Sequence, residues 1–469
     1  MTAPVPDVVL HEYGPAVSVP LGAAAGRALA GSGVLQSATP DPAQDGHWLL
    51  RAGNRVGALR TPGGPVLRIM PKTPVSRIFF LLGFSLDPER AWRDEREGVV
   101  DTGAYDDVVP ALAHAVERRI DAALRRGVLQ GYREVEETSL VVRGRIREAE
   151  QIRRHFGRTP PVEIAYDAYT ADTAENRILR AVVERLLRLP GVPGPVRRRL
   201  AHQRVRLADA LPLVRGQELP RWQPSRLNAR YQPALRLGEA VLRGSSPEHQ
   251  PPGADPLAVD GFLFDMNQLF EDFVTVALST ALQEQGLVPR LQDRHHLDIA
   301  GLVRIRPDLV VRTGDGRTPV AVVDAKYKVE KGDGRLNADL YQALAYATAL
   351  GLPEAHLVYA AGGLPTRFHE VRGTAVGTDG RGVRLYRHSV DLDCEPRQLM
   401  SALREIAGRL ARACSPRVTM APRPDGIPDG KEDTVCPGSP SPRVSGTATT
   451  PSRNRSGPEC ARPWRSSRP

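Results

Sequence analysis

Two carboxylates and an amine, Asp308, Asp324 and Lys326, stand where a chain rarely puts charge, at the ends of runs of branched apolar residues. Val320-Ala321-Val322-Val323 is wholly apolar and reads as a central strand buried on both faces. Side chains two apart on a strand point the same way, so Asp324 and Lys326 project together from its end. The turn Thr313-Gly314-Asp315-Gly316 folds the preceding run, Val303 to Val311 with Pro307 inside it, back as a hairpin. Asp308 then comes alongside Asp324. Two carboxylates in one small space repel, and either a trapped proton or a bound cation relieves them. Oxygen-only ligands suit Mg²⁺, which keeps several waters. Lys326 is placed to orient a water or help deprotonate it, and to stabilise charge on a phosphate under in-line attack. Arg306 and Lys328 flank this centre as candidate contacts to substrate phosphates, which position without reading sequence. His295-His296 has no Cys, Glu or His partner at zinc-ligand spacing, and a zinc site is set aside.

The elements that must carry these groups are legible from periodicity. Asp265 caps a predicted helix with Gln268 three residues on; Leu269, Phe270, Phe273, Val274, Ala277, Leu278 and Ala281 form its apolar face, Gly286 ends it, and Glu271 sits early in it. Downstream, a helix from Leu336 to Leu350 carries Tyr341-Gln342, and Tyr327 and Tyr346 read as core residues. In the first hundred residues, His47 to Ala52, Arg55 to Arg60 and Val66 to Met70 are strand-like, the last two joined by Thr61-Pro62-Gly63-Gly64 as a hairpin. Helices follow from Asp107 to Gly127, from Asp172, where Asp172-Thr173-Ala174-Glu175 has the layout of a capping box, and from about Pro195 to Leu211. The arginines of this last helix, Arg197, Arg198, Arg199, Arg204 and Arg206, have no interleaved aromatics for base stacking and are expected to face water. Ser245 to Gly253 reads as a linker. From Ser415 onward 11 prolines accompany only four of Val, Ile, Leu and Phe, and that tail is expected to be disordered. The expected fold class is therefore α/β: a mixed sheet flanked by helices over 254–414, preceded by a β-rich region over 1–105 and a mainly helical region over 106–244, and followed by the tail, 415–469.

Pro307-Asp308, fifteen residues, then Asp324-Ala325-Lys326 after an apolar strand is the signature of the PD-(D/E)xK nucleases, which this segment resembles. That resemblance implies Glu271 as an additional active-site acid, sharing the metal with Asp308 and Asp324, and Gln342 as a polar group near the lysine. A wider resemblance, over about residues 50 to 365, is to the McrC family, the nuclease subunits of the McrBC modification-dependent restriction systems. It is carried by Val56-Gly57, Leu67-Arg68-Ile69-Met70-Pro71-Lys72, Gly131-Tyr132, Arg143-Gly144-Arg145-Ile146, Tyr169 to Arg177, and Phe262 to Asn267 leading into Leu269-Phe270-Glu271. The resemblance implies a Mg²⁺-dependent endonuclease acting in phage defence on double-stranded 5-methylcytosine DNA. Its amino-terminal part would dock a hexameric AAA+ GTPase of the McrB type that recognises and translocates the DNA.

Composition is compatible with this. Lys and Arg exceed Asp and Glu by 64 to 54, a net charge of +10 that favours polyanions. No phosphate loop of the Gly-x-x-x-x-Gly-Lys-Ser/Thr kind occurs, so GTP would be used by the partner. The four cysteines, Cys394, Cys414, Cys436 and Cys460, have no metal-ligand spacing. With neither a signal-peptide pattern nor an 18-residue apolar run, a cytoplasmic protein without membrane contact is expected. Two other readings are a non-cutting adaptor that activates a GTPase and a stand-alone nuclease of the repair or transposon type. The first predicts loss of GTPase stimulation along with cutting when Asp324 is replaced; the second predicts Mg²⁺-dependent nicking by the chain alone.

Overall fold

Strands Leu309–Arg312 and Pro319–Lys326 are covered on both faces, which is why their sequence runs apolar without alternation. The computed structural model describes residues 7–60, 64–88, 105–214, 217–243, 260–327, 333–360, 365–372 and 382–414. Leu309, Val311, Ala321, Val323 and Ala325 face one core, with helices Met266–Gln283 and Pro396–Cys414. Val310, Val322, Leu357 and Tyr359 face the other, with helix Asp333–Leu350. The sheet has six strands in the order Val288–Leu291, Leu309–Arg312, Pro319–Lys326, Glu354–Tyr359, Arg384–Ser389, Arg367–Glu370. Its first two pairings are antiparallel, the next two parallel and the last antiparallel, a mixed sheet between helices as expected. The predicted strand from Val303 to Val311 is broken: Arg304–Ile305 pairs outside this sheet with His295–His296, and Pro307, which cannot donate to a ladder, lies at the break.

Toward the amino terminus, Val8–His11, Val66–Met70 and Arg55–Arg60 form a second sheet, whose expected hairpin is present with residues 61–63 of its turn outside the described residues. Its fourth strand is Asp260–Asp265, antiparallel to Arg55–Arg60. The segment expected to begin the carboxy-terminal module is thus built into the amino-terminal sheet. Gly57 makes the pairing possible: its φ is +136°, and a Cβ there would meet the Phe262 carbonyl oxygen at 2.2 Å. The joint continues directly into helix Met266–Gln283, because Asn54 O accepts from Met266 N at 2.9 Å and Asn54 Nδ2 donates to the Asp265 side chain at 2.6 Å. Asp265 caps that helix through the N–H groups of Asn267 and Gln268, as the sequence predicts. Phe80 and Phe84 of helix Val75–Leu86 then pack edge-on against its Phe273. A third sheet, of Val17–Pro20, His47–Arg51 and Ser37–Pro40, packs with helix Ala23–Gly31 around Trp48, Leu50 and Leu29.

In the middle region the helix from Asp107 spans Val108–Leu124, capped by Asp107. The next, Ala174–Arg188, is capped one residue later than predicted: Thr173, not Asp172, accepts from Asn176 N. Asp172 is instead taken by Arg133, Arg177 and the Leu211 N–H, a stronger competitor for a carboxylate than a single amide. Helix Gly194–Arg206 also departs from expectation, since Arg197 and Arg206 donate to the carbonyls of Leu187, Leu189 and Leu124, and Arg199 pairs with buried Glu117. Only Arg198 and Arg204 are left to water, as foreseen for all five. A three-stranded sheet, Gly131–Ser139, Val162–Thr170 and Arg145–Ile146, is an addition to the helices expected here. It leaves Tyr132, Leu140, Val141, Phe156 and Tyr169 exposed. The expected linker over 245–253 and the tail from Ser415 lie outside the described residues.

Candidate active site

The hairpin register places Leu309 opposite Val323, so Asp308 and Asp324 are the next pair along, close enough that the charge of one carboxyl acts on the other. Both are buried, Asp308 at 8% exposure and Asp324 at 2%. Asp308 is fixed by the backbone, its Oδ2 accepting from Ala325 N at 2.8 Å. Lys326 Nζ stands 2.5 Å from Asp324 Oδ2 on the same face of the strand. Glu271 arrives from the second turn of helix Met266–Gln283 and joins the group through Gln292, whose Nε2 donates to Glu271 Oε1 and, at 3.2 Å, to Asp308 Oδ1. Four of the five residues expected at the site are therefore together.

Burial, first of all, pushes the carboxyls of Asp308, Asp324 and Glu271 above the usual carboxylate range, and the negative charges of their neighbours push further. Lys326 goes the other way from a solitary buried lysine. Desolvation alone would depress its ammonium, but Asp324, Asp308 and Asp339 together outweigh it and hold the pKa above the ordinary lysine value. Among the described residues no group of three or more His, Cys, Asp or Glu side chains is arranged as a ready coordination shell. Mg²⁺ does not need one, being commonly bound by one or two carboxylates, waters and a substrate phosphate. The oxygen-only pair, forced together at the cost of charging, fits such an ion, which Asp308 and Asp324 would hold.

The remaining expectations divide. Gln342 donates to the Tyr346 hydroxyl at 2.6 Å rather than to Lys326, and that hydroxyl donates in turn to the Arg306 carbonyl oxygen at 3.4 Å. The hydrogen-bond chain from Gln342 thus runs to the backbone before the acids and not to the lysine, whose ion-pair partner is Asp324. Arg306 is exposed; Lys328 lies outside the described residues. Tyr327 and Tyr346 are buried as expected, though each hydroxyl has polar partners. His295 pairs with Asp293 at 3.1 Å. Gln292 is the residue that the sequence reading missed. It closes strand Val288–Leu291, donating its N–H to Asp308 O at 2.9 Å, and its φ of +50° turns the chain out of the sheet with its side chain on the acids. The only local signal was a polar amide after an apolar strand, which glutamine gives in many surface turns.

Residues 50–360 match the model of the McrBC 5-methylcytosine restriction system component family. Comparison with curated proteins gives no match. Among solved structures, the chain is similar to a half-complex refined from a tetradecameric assembly of Thermococcus gammatolerans McrB AAA+ hexamers with bound McrC. The identity is 18%, the TM-score 0.50, and the match covers 86% of this chain and 100% of that one. The cryo-EM structure of the Thermococcus gammatolerans McrBC complex gives 18% identity and a TM-score of 0.37, over 59% of this chain and 88% of that one. At such identity the first of these speaks for the fold. The family model, however, spans more than half of the sequence and takes in the strands that carry Asp308, Asp324 and Lys326, and the chain belongs to the McrBC 5-methylcytosine restriction system component family.

Proposed function

We propose that this restriction-system component is the Mg²⁺-dependent endonuclease subunit, cutting double-stranded modified DNA when assembled with an AAA+ GTPase partner. The observation that carries the reading is the buried Asp308–Asp324 pair, with the Lys326 ammonium 2.5 Å from Asp324 Oδ2, at the end of two central strands. Burying like charges costs stability, and a fold keeps such an arrangement only where something else is gained. When bound by Asp308 and Asp324, Mg²⁺ supplies positive charge at the scissile phosphate. Lys326, held protonated by its acid neighbours, is poorly suited to accept a proton. Its part is to orient the attacking water and to stabilise negative charge growing on the phosphate oxygens. Ala325 N–H and Gln292 fix the Asp308 carboxylate, and Glu271 serves as an auxiliary acid beside it.

The partner enters through the family and through the solved structure in which McrB AAA+ hexamers have McrC bound. Exposed Tyr132 and Tyr169, paired across two strands with ring centroids 5.2 Å apart, support it, since aromatic side chains are enriched at protein interfaces. The test is cleavage of methylated plasmid by the chain with its partner, GTP and Mg²⁺. Asp324→Ala abolishes cutting and leaves partner-stimulated GTP hydrolysis nearly intact. Loss of both would instead support an adaptor, and cutting by the purified chain alone a stand-alone nuclease.

A further inference from the structure

Between Gln292 and Pro307-Asp308 the chain leaves the central sheet and returns as a short hairpin, His295–His296 paired antiparallel with Arg304–Ile305. Both of its ends are fastened to the acid cluster, one by the Gln292 amide and the other by Asp308 itself. Its acids are committed within the protein. Asp298 fixes the turn, accepting from the N–H groups of Leu302 at 3.1 Å and Val303 at 2.7 Å, and Asp293 is held by Arg312 at 3.0 Å and His295 at 3.1 Å. Its cations are not committed: Arg294, Arg304 and Arg306 are exposed, and none pairs with an acid among the described residues. The tip is apolar and open, with Ile299 fully exposed, Leu302 at 82% and Leu297 and Val303 beside them.

We propose that this hairpin grips the DNA duplex next to the scissile phosphate, its arginines on backbone phosphates and its apolar tip in the minor groove. The inference rests on the nuclease reading above and adds the element that holds the substrate. Arg306 is two residues from Asp308, hence within about 7 Å of it along the backbone. Duplex DNA carries roughly one charge per 1.7 Å of its axis, so any duplex with a phosphate at Asp308 and Asp324 brings others past these arginines. A protein partner would not need three exposed arginines along the hairpin, from its base at Arg294 and Arg306 to Arg304 nearer the tip, with no acid paired to them among the described residues. Leucine and isoleucine wedges flanked by arginine are how minor-groove binders unstack a base step.

The test uses the full-length chain, Ca²⁺ in place of Mg²⁺, and a fluorescein-labelled 30-base-pair duplex with 2-aminopurine at its centre. Arg294→Ala with Arg304→Ala weakens binding and lowers the slope of log Kd against log salt by about 2, roughly one per lost phosphate contact. Ile299→Ser with Leu302→Ser, surface changes that leave the fold intact, weakens binding with the slope unchanged and removes the rise in 2-aminopurine fluorescence. Binding equal to that of the parent chain in both variants overturns the proposal, as does loss of self-association with DNA affinity preserved, which assigns the tip to a second copy. Plasmid cleavage with the GTPase partner separates the two levels. A parent chain that cuts while both variants cut equally well removes the hairpin proposal alone; a parent chain that never cuts removes the nuclease reading with it.

Discussion

Tyr327 donates its hydroxyl hydrogen to Glu12 Oε2 at 3.3 Å, across 315 residues of chain. Glu12 is 1% exposed; its carboxyl is raised by burial, and its Oε2 also takes the Lys72 N–H at 3.1 Å. The Thr73 hydroxyl completes the contact, 3.4 Å from that of Tyr327. Since Tyr327 directly follows Lys326, the end of the acid-bearing strand is held by the amino-terminal sheet. A hydrogen bond to a buried charged group is worth about 1.5–3 kcal/mol. Tyr327→Phe is therefore expected to cost that much in urea unfolding at neutral pH. In a double-mutant cycle, Glu12→Gln recovers part of the loss, because a neutral amide left unpaired costs less than a carboxylate. Equal, additive losses would show that the two side chains are not coupled.

The acid pair makes stability depend on pH and metal together. Its carboxyls are raised from 3.8 to about 6 at Asp308 and about 7 at Asp324, burial being the first cause and the neighbouring acid charges the second. The folded chain binds these protons more tightly than the unfolded one, so the contribution is complete below about pH 4 and is lost as pH rises through 6 and 7. Without metal, the melting temperature is expected to fall across that window. On the proposed reading Mg²⁺ would bind the charged pair, so its stabilising increment is expected to grow over the same range. Scanning fluorimetry of Asp308→Asn and Asp324→Asn checks both: each should flatten the pH dependence and remove the Mg²⁺ response. A Mg²⁺ increment that is constant with pH would place the ion elsewhere.

Replacing Lys326 by methionine separates charge stabilisation from metal binding. Removing one preorganised group that faces developing charge costs about 100- to 1000-fold in rate. Lys326→Met should lose that much in single-turnover cleavage with the partner present. Ca²⁺ binding, read by calorimetry, should be kept or tightened, because the ammonium no longer competes for Asp324. Near-normal cleavage by the methionine variant would remove the lysine from the chemistry.

How far the site could be read from sequence follows the range of the interactions that build it. Asp308, Asp324 and Lys326 were legible because a strand's two-residue period and one glycine turn fix their relation within nineteen positions. The Asp265 cap was legible for the same local reason. Asp172 was misread because three competing donors, two of them arginines, reach it from elsewhere in the fold. Strand Asp260–Asp265 looked like the start of a module, since its pairing with Arg55–Arg60 leaves no periodic trace nearby. Gln292 escaped notice because what marks it is a backbone angle, and the contact of Glu12 with Tyr327 because nothing local connects them.

Gln292 is expected to matter as a positioning residue. Loss of a hydrogen-bonding partner behind a metal ligand typically costs 10- to 100-fold in metal affinity or activity. Gln292→Ala should raise the Mg²⁺ concentration needed for half-maximal cleavage by about that factor. Gln292→Gly removes the same amide but suits the φ of +50°, relieving up to about 1–2 kcal/mol of left-handed strain. The glycine variant should therefore be the more stable of the two and equally deficient. If it regains normal Mg²⁺ dependence, the backbone turn is what matters and the amide is not.

Gly57 tests whether the amino-terminal sheet positions the acids. An alanine there would force a φ of +136° on an L-residue and drive its Cβ to 2.2 Å from the Phe262 carbonyl oxygen, between two strand pairings. The cost is expected to be about 2–4 kcal/mol. Gly83 supplies the control, since it lies in helix Val75–Leu86 and a Cβ there would meet nothing within 4 Å. Gly83→Ala should stabilise by about 0.5–1 kcal/mol. The sharper consequence concerns Glu271, whose helix begins where strand Asp260–Asp265 leaves this sheet. Gly57→Ala should weaken Mg²⁺ binding at temperatures well below its own unfolding transition, while Gly83→Ala leaves that binding unchanged. Folded Gly57→Ala with the parent chain's Mg²⁺ affinity would mean that the acids hold their places without the strand beneath them.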